Sequence, residues 1–443
     1  MVATSGTQVT GAPDGALRYF ELEFSGSGGL VRDSGLPRAA SAGEFDDLFV
    51  FVHGWNTDHD SARRLFHGMF ALLHDALDTY APGRADRVAT AGVLWPSKVL
   101  SRDDPLAAPG PAGAGSAEPD GSGWDEYREL LRVAFPHDDA AVDSVVERLE
   151  AQGRSASFDA TVGIVEALCR LIVTGEQTQG TDLVGLVKQH VLENGEQGTG
   201  TWTFPEDMLK DLVRTLSYWQ MKARAGVVGG QGLGPWLAGL GAANGDLRVH
   251  LMGHSFGARA AGFALPGAAS GQRRPVRSLL LLQGAFSCLA FAGPDVEGPD
   301  LPGALPGAPG TVDGPVLATT SSHDSAVGIW YPMASRLHGP DGDFAGYNGS
   351  GTLPAEALPA DRDGGSSEFL PPWTRGLGAL GFRGVGAGEQ DLHPVGAPYS
   401  LPAGRPVTLV ADAVVGGHSD ILRPQVAWAA VEAAGLVPVP ALP

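Results

Sequence analysis

The chain has 443 residues, 43% of them hydrophobic and 18% charged, with 50 acidic side chains against 30 basic ones and a formal net charge of −20. That balance excludes broad nucleic-acid binding, which needs a basic footprint, and docking on an anionic membrane surface; it favours solubility. No apolar run reaches the roughly eighteen residues that a membrane span needs, and the 64 glycines and 33 prolines point to long irregular loops.

The first twenty residues have no basic segment followed by an apolar one, so no secretory leader is expected and the cytoplasm is the expected compartment. Short apolar runs rich in β-branched residues then recur between helical patterns. The predicted strands are 19–24 (YFELEF), 47–52 (DLFVFV), 88–95 (VATAGVLW), 247–252 (LRVHLM), 276–282 (VRSLLLL), 316–319 (VLAT) and 407–410 (VTLV). Residues 61–79 carry apolar side chains at 65, 66, 69, 72, 73 and 77, a helical stripe. Helices are also expected at 258–265 and at 424–434, the latter with Pro424 near its first position. Continuous apolar strands alternating with helices indicate an α/β fold with a mostly parallel, doubly wound sheet.

Between the strand ending near Trp95 and the strand before Gly253 lies a large insertion. It opens with a Pro/Gly/Ala-rich loop, 104–123. Helical segments follow near 124–134, 140–152, 158–173, 183–193 and 205–225, as in a helical cap over the sheet. The expected organisation is a core in two parts, 1–100 and 246–443, interrupted by a cap at 101–245. Two further irregular regions run from 293 to 315 and from 338 to 402. Cys169 and Cys288 sit in apolar surroundings and read as buried thiols.

The chemistry is carried by Gly253-His254-Ser255-Phe256-Gly257, which fits G-x-S-x-G. A strand precedes it and a helix follows it, the setting of a nucleophile elbow. Small residues at 253 and 257 let strand and helix close on each other, and the turn holds Ser255 in a strained conformation at the sheet edge. A serine needs a base and an orienting acid, which follow in the order serine, acid, histidine. His418, in the Gly-rich segment GGHSD after the last strand, is the expected base, preferred over His323, His338 and His393. Asp324, after the 316–319 strand, is the expected acid, with Asp295 as its rival. The oxyanion donors are expected to be the N–H of Phe256 and that of Trp55, in the loop His53-Gly54-Trp55-Asn56 after the 47–52 strand. His53 reads as a prop for that loop and Asn56 as a cap or turn residue.

These motifs resemble the α/β-hydrolase superfamily of serine hydrolases. More narrowly, they resemble a bacterial branch with HG[WY]N after one strand and WPS after the next, here His53-Gly54-Trp55-Asn56 and Trp95-Pro96-Ser97. The segment YWQMKARAG at 218–226 looks like the same branch. The resemblance covers about 45–98 and 216–434. It implies the α/β-hydrolase fold and an esterase- or lipase-like activity through a Ser255, His418, Asp324 triad, without cofactor or metal. The substrate would be a small-molecule or lipid-like ester. A thioesterase or peptidase on the same triad is the alternative, and a non-catalytic binding protein on this scaffold is a second.

Other features read as structural. Lys222 and Arg224 could bind a carboxylate, but more simply pair with acids or cover apolar surface. Asp58, His59 and Asp60 resemble a metal trio and are better placed to cap a helix. The glycine run 226–234 lacks the strand and the GK[ST] ending of a phosphate loop. Trp330 could line an acyl pocket, while Trp124, Trp202, Trp219, Trp236 and Trp373 read mainly as packing.

Overall fold

The computed structural model describes residues 17–97, 128, 139–152, 221–271, 273–293, 303–324 and 375–437. Nine strands form one sheet in the order β2-β1-β4-β3-β5-β6-β7-β9-β8. They are β1 (Arg18–Phe24), β2 (Leu30–Arg32), β3 (Asp47–Val52), β4 (Val88–Leu94), β5 (Arg248–His254), β6 (Val276–Leu282), β7 (Val316–Thr320), β8 (Gly388–Asp391) and β9 (Pro406–Val410). Every pairing is parallel except β1 with β2.

Both faces of the sheet are covered. All six residues of β3 are buried, because its side chains alternate between two cores. Leu48, Val50 and Val52 join one core; Phe49 and Phe51 join the other. The first core is closed by α1 (Leu36–Ser41), by a helical stretch at 221–243, and by α5 (Phe256–Ala268). The second is closed by α2 (His59–Tyr80) and α7 (Pro424–Ala433). Asp58 caps α2 by accepting the Ser61 N–H at 2.7 Å. Gly92 of β4 lies under Phe66 of α2, where a Cβ would stand 2.2 Å from the ring. A helix, α3 (Asp139–Gln152), occupies the place expected for 140–152. The helices expected at 158–173 and 183–193 lie outside the described residues, as does most of that at 124–134.

The seven expected strands are all present, and two more appear at the sheet's edges. β2 is three exposed residues and β8 is a polar GEQD segment, so neither carries an apolar signal. The helix expected to end at 225 instead continues. Residues 221–227 lead into a π-helical turn, Val228–Leu233, and then α4 (Gly234–Ala243). The reason is close packing against α5: a Cβ on Gly229 would lie 2.2 Å from the Ala260 carbonyl oxygen, and one on Gly234 2.6 Å from that of Ala264. Between β8 and the region after β6 lies one further short helix, α6 (Leu377–Leu380).

Among the described residues, no helix is long and apolar enough to cross a membrane.

Candidate active site

The chain passes from β3 to β4 on one side of the sheet and from β5 to β6 on the other. The carboxyl ends of β3 and β5 therefore flank the switch point, where open α/β sheets form their crevice. The HG loop follows β3 and Ser255 follows β5, so both motifs arrive there together.

Ser255 has φ 58 and ψ −121, a conformation a non-glycine residue adopts only when its surroundings impose it. Those surroundings are visible. A Cβ on Gly257 would stand 2.1 Å from the Val52 carbonyl oxygen, and one on Gly253 2.3 Å from that of Gly257. Only glycine at both places lets the turn close against β3. The Ser255 N–H donates to the Leu282 carbonyl at 3.0 Å, and its own carbonyl accepts from Ala285 at 3.2 Å. The serine's backbone is thus locked onto β6 and the turn beyond it.

The structure brings the three sequence-predicted groups into one hydrogen-bonded row. His418 Nδ1 donates to Asp324 Oδ2 at 2.8 Å, and His418 Nε2 accepts from Ser255 Oγ at 2.8 Å. The buried carboxylate accepts only, so it selects the imidazole tautomer with hydrogen on Nδ1 and the lone pair on Nε2. The His418 side chain is 22% exposed, and Asp324 is sealed beneath it. The two loops are tied together. Ser321 Oγ donates to the Val415 carbonyl at 2.7 Å, and Ser322 N–H and Oγ donate to Asp412 at 2.8 and 3.0 Å. Beyond His418, Asp420 closes its own loop by accepting the Gly416 N–H at 2.9 Å.

His254, the variable residue of the motif, carries a role the sequence did not signal. Its Nε2–H donates to the His418 carbonyl at 2.8 Å. Burial, reinforced by the neighbouring His418, pushes its pKa down to about 3, so it holds the His418 backbone as a neutral ring.

The HG loop is braced by the WPS segment. His53 Nδ1–H donates to the Gly54 carbonyl at 2.9 Å, while Nε2 accepts the Trp95 N–H at 3.3 Å. Trp95 Nε1–H returns a bond to the His53 carbonyl at 2.9 Å, and the two rings stack at 5.6 Å. Burial lowers the His53 pKa to about 4, consistent with this neutral prop. The Ser97 hydroxyl donates to the Thr57 carbonyl at 2.9 Å, and the Ser97 carbonyl accepts the Asn56 N–H at 2.9 Å. Asn56 is a turn residue with φ 56. Arg224 then donates to the Pro96 carbonyl at 2.8 Å, and burial lowers its pKa. It buttresses the loop from behind. Lys222 is buried, and its carbonyl accepts Arg259 Nε at 2.9 Å.

The two residues expected to supply oxyanion donors are adjacent across this crevice. Phe256 heads α5, at the positive end of its dipole. The rings of Trp55 and Phe256 lie 6.1 Å apart. Gly54 makes that approach possible, since a Cβ there would sit 2.9 Å from Ser255 Cβ.

Of the rival bases, His393 stacks on Tyr399 and bonds the Pro398 carbonyl, and the His323 backbone N–H donates to Ser321 Oγ at 3.2 Å in the acid loop. His338, Asp295, Cys169, Trp124, Trp202, Trp219, Trp330 and Trp373 lie outside the described residues. Trp236 packs on the first core, and Cys288 is buried. Among the described residues, no cluster of three or more His, Cys, Asp or Glu could hold a metal ion.

A second Ser, His, Asp row lies at the opposite rim. His250 Nε2 meets Asp47 Oδ1 at 3.0 Å, and His250 Nδ1 meets Ser278 Oγ at 2.9 Å. Arg248 pairs with the other Asp47 oxygen. These residues stand near the amino ends of β3, β5 and β6, and the His250 side chain is 1% exposed. The row satisfies buried polar groups where strands enter the core. It has no crevice.

Compared with protein-family models, curated proteins and solved structures, the chain finds no match.

Proposed function

We propose that the chain is a serine hydrolase of the α/β-hydrolase fold that cleaves neutral carboxylic esters. The observation that carries this reading is the row Ser255–His418–Asp324, joined by two hydrogen bonds of 2.8 Å at the switch point of the sheet. The antiparallel β1–β2 hairpin at one edge of an otherwise parallel sheet, the elbow conformation of Ser255, and the braced HG loop all support the fold assignment.

His418 Nε2 removes the Ser255 proton as Oγ attacks the ester carbonyl. The imidazolium that forms is stabilised by the Asp324 carboxylate. Negative charge collects on the former carbonyl oxygen, which the amides of Phe256 and Trp55 would stabilise in this reading. His418 returns the proton to the leaving alcohol and an acyl-enzyme remains on Ser255. Water, activated by the same imidazole, then releases the acid and restores the serine.

The test is hydrolysis of short-chain nitrophenyl esters by wild type and Ser255→Ala, with fluorophosphonate labelling alongside. Wild type should turn over the ester and label at Ser255. Ser255→Ala should lose label and fall to a residual rate about 10⁴- to 10⁶-fold lower in kcat. Equal rates in the two proteins would overturn the proposal.

A further inference from the structure

Four neighbouring strands, β5, β6, β7 and β9, converge at the candidate site. Three lead to Ser255, Asp324 and His418. The fourth, β6, leads to Gln283, the first residue past Leu282. Gln283 is completely buried and has φ 45, the left-handed region that costs a non-glycine residue. Two adjacent strands thus end in strained residues, Ser255 and Gln283, and both side chains reach the same hydrogen-bonded row.

Every polar atom of the Gln283 amide that bears on the row is engaged. The Thr319 hydroxyl donates to Oε1 at 2.7 Å, and its oxygen accepts the Gln283 backbone N–H at 3.2 Å. Nε2 then faces Asp324 and donates to Oδ2 at 3.1 Å. The flipped amide would set its carbonyl oxygen against a carboxylate oxygen, two acceptors together, so the chemistry fixes the orientation. Asp324 Oδ2 is the same oxygen that accepts from His418 Nδ1. Carboxylate torsions are intrinsically broad, and nothing in a bare Asp side chain selects one oxygen for the imidazole.

We infer that Gln283 is a positioning residue. Its Nε2–H fixes the rotation of the Asp324 carboxylate, so that Oδ2 stays aligned with His418 Nδ1 while the imidazole gains and loses its proton. The inference rests on the serine-hydrolase reading, and Gln283 acts only through Asp324.

The experiment compares wild type, Gln283→Met and Gln283→Glu for kcat, KM and the rate of fluorophosphonate labelling. Gln283→Met keeps the length and loses the N–H. It should lower kcat and labelling about 10- to 100-fold while KM stays within about 2-fold. In Gln283→Glu the introduced carboxyl donates only when protonated. Its activity relative to wild type should therefore rise as the pH falls from about 9 to about 6, measured at a temperature where circular dichroism shows both proteins folded throughout that range, so that loss of structure cannot supply the trend. Wild-type kcat and labelling in Gln283→Met, or a pH-independent ratio for Gln283→Glu, would overturn the inference. If Gln283→Met does not fold by circular dichroism, the ratio for Gln283→Glu decides alone. A labelled, active wild type with an unimpaired Gln283→Met rejects this role only; a wild type that neither labels nor turns over ester rejects the hydrolase reading and this role with it.

Discussion

Gly54 fits tightly at the crevice, and its size is set by the nucleophile candidate itself. A methyl group there would stand 2.9 Å from Ser255 Cβ and 3.3 Å from His254 Nδ1. Both neighbours belong to the elbow, whose backbone has no freedom to retreat. Gly54→Ala should therefore move the HG loop off the serine and lower kcat for ester hydrolysis by about 10²-fold. Circular dichroism should meanwhile show an intact fold; wild-type kcat would contradict this account. Ser255, Asp324 and His418 were legible in the sequence because each follows a strand with a strong apolar signal, in the expected order serine, acid, histidine. Gln283 and His254 were not. Gln283 follows β6 with no motif around it, and its partners Thr319 and Asp324 are 36 and 41 residues away. His254 occupies the variable place of the pentapeptide, and its acceptor lies 164 residues on. Second-tier contacts of this kind are made by folded geometry, and local patterning leaves no trace of them.

The stretch 221–243 shows the same limit for an element. Its glycine run reads as a breaker by propensity, since each glycine costs a helix roughly 1 kcal/mol. Contact with α5 reverses the sign, because only glycine lets the two backbones approach so closely. Two substitutions separate the effects. Gly229→Ala would press a methyl to 2.2 Å from the Ala260 carbonyl oxygen, and should destabilise the protein by about 1–3 kcal/mol. Gly239→Ala, in α4 with nothing within 4 Å of the added Cβ, should be neutral or stabilise by up to about 1 kcal/mol. Denaturant melts of the pair measure both, and a common direction of change would refute the packing argument. The seven longer strands and the helices α2, α5 and α7 were legible from apolar periodicity. β2 and β8 were not, because edge strands with exposed or polar side chains resemble loops.

At the scale of the whole molecule, three histidines among the described residues are buried in the neutral form. His53, His250 and His254 all have pKa values lowered by burial, to about 4 for His53 and about 3 for His254. For His250 the loss of solvent outweighs the attraction of Asp47. The unfolded chain binds protons on these rings below about pH 6.5, while the folded chain resists them, so unfolding is favoured as pH falls. Stability should be level above about pH 6.5 and decline between there and about pH 4, by up to about 1.4 kcal/mol per pH unit for each histidine. A melting temperature that stays flat across that window would rule this out. The pair of Ser, His, Asp rows carries a wider consequence. The molecule holds the same three side chains twice, with the ring turned end for end: Nδ1 meets the carboxylate in one row and Nε2 meets it in the other. Matching atoms by distance alone would rank the two as equals. Strand polarity tells them apart. One rim of a parallel sheet is where chains leave and open a crevice, the other where they enter and close ranks, so a single direction of travel sorts the candidate nucleophile from a fastener.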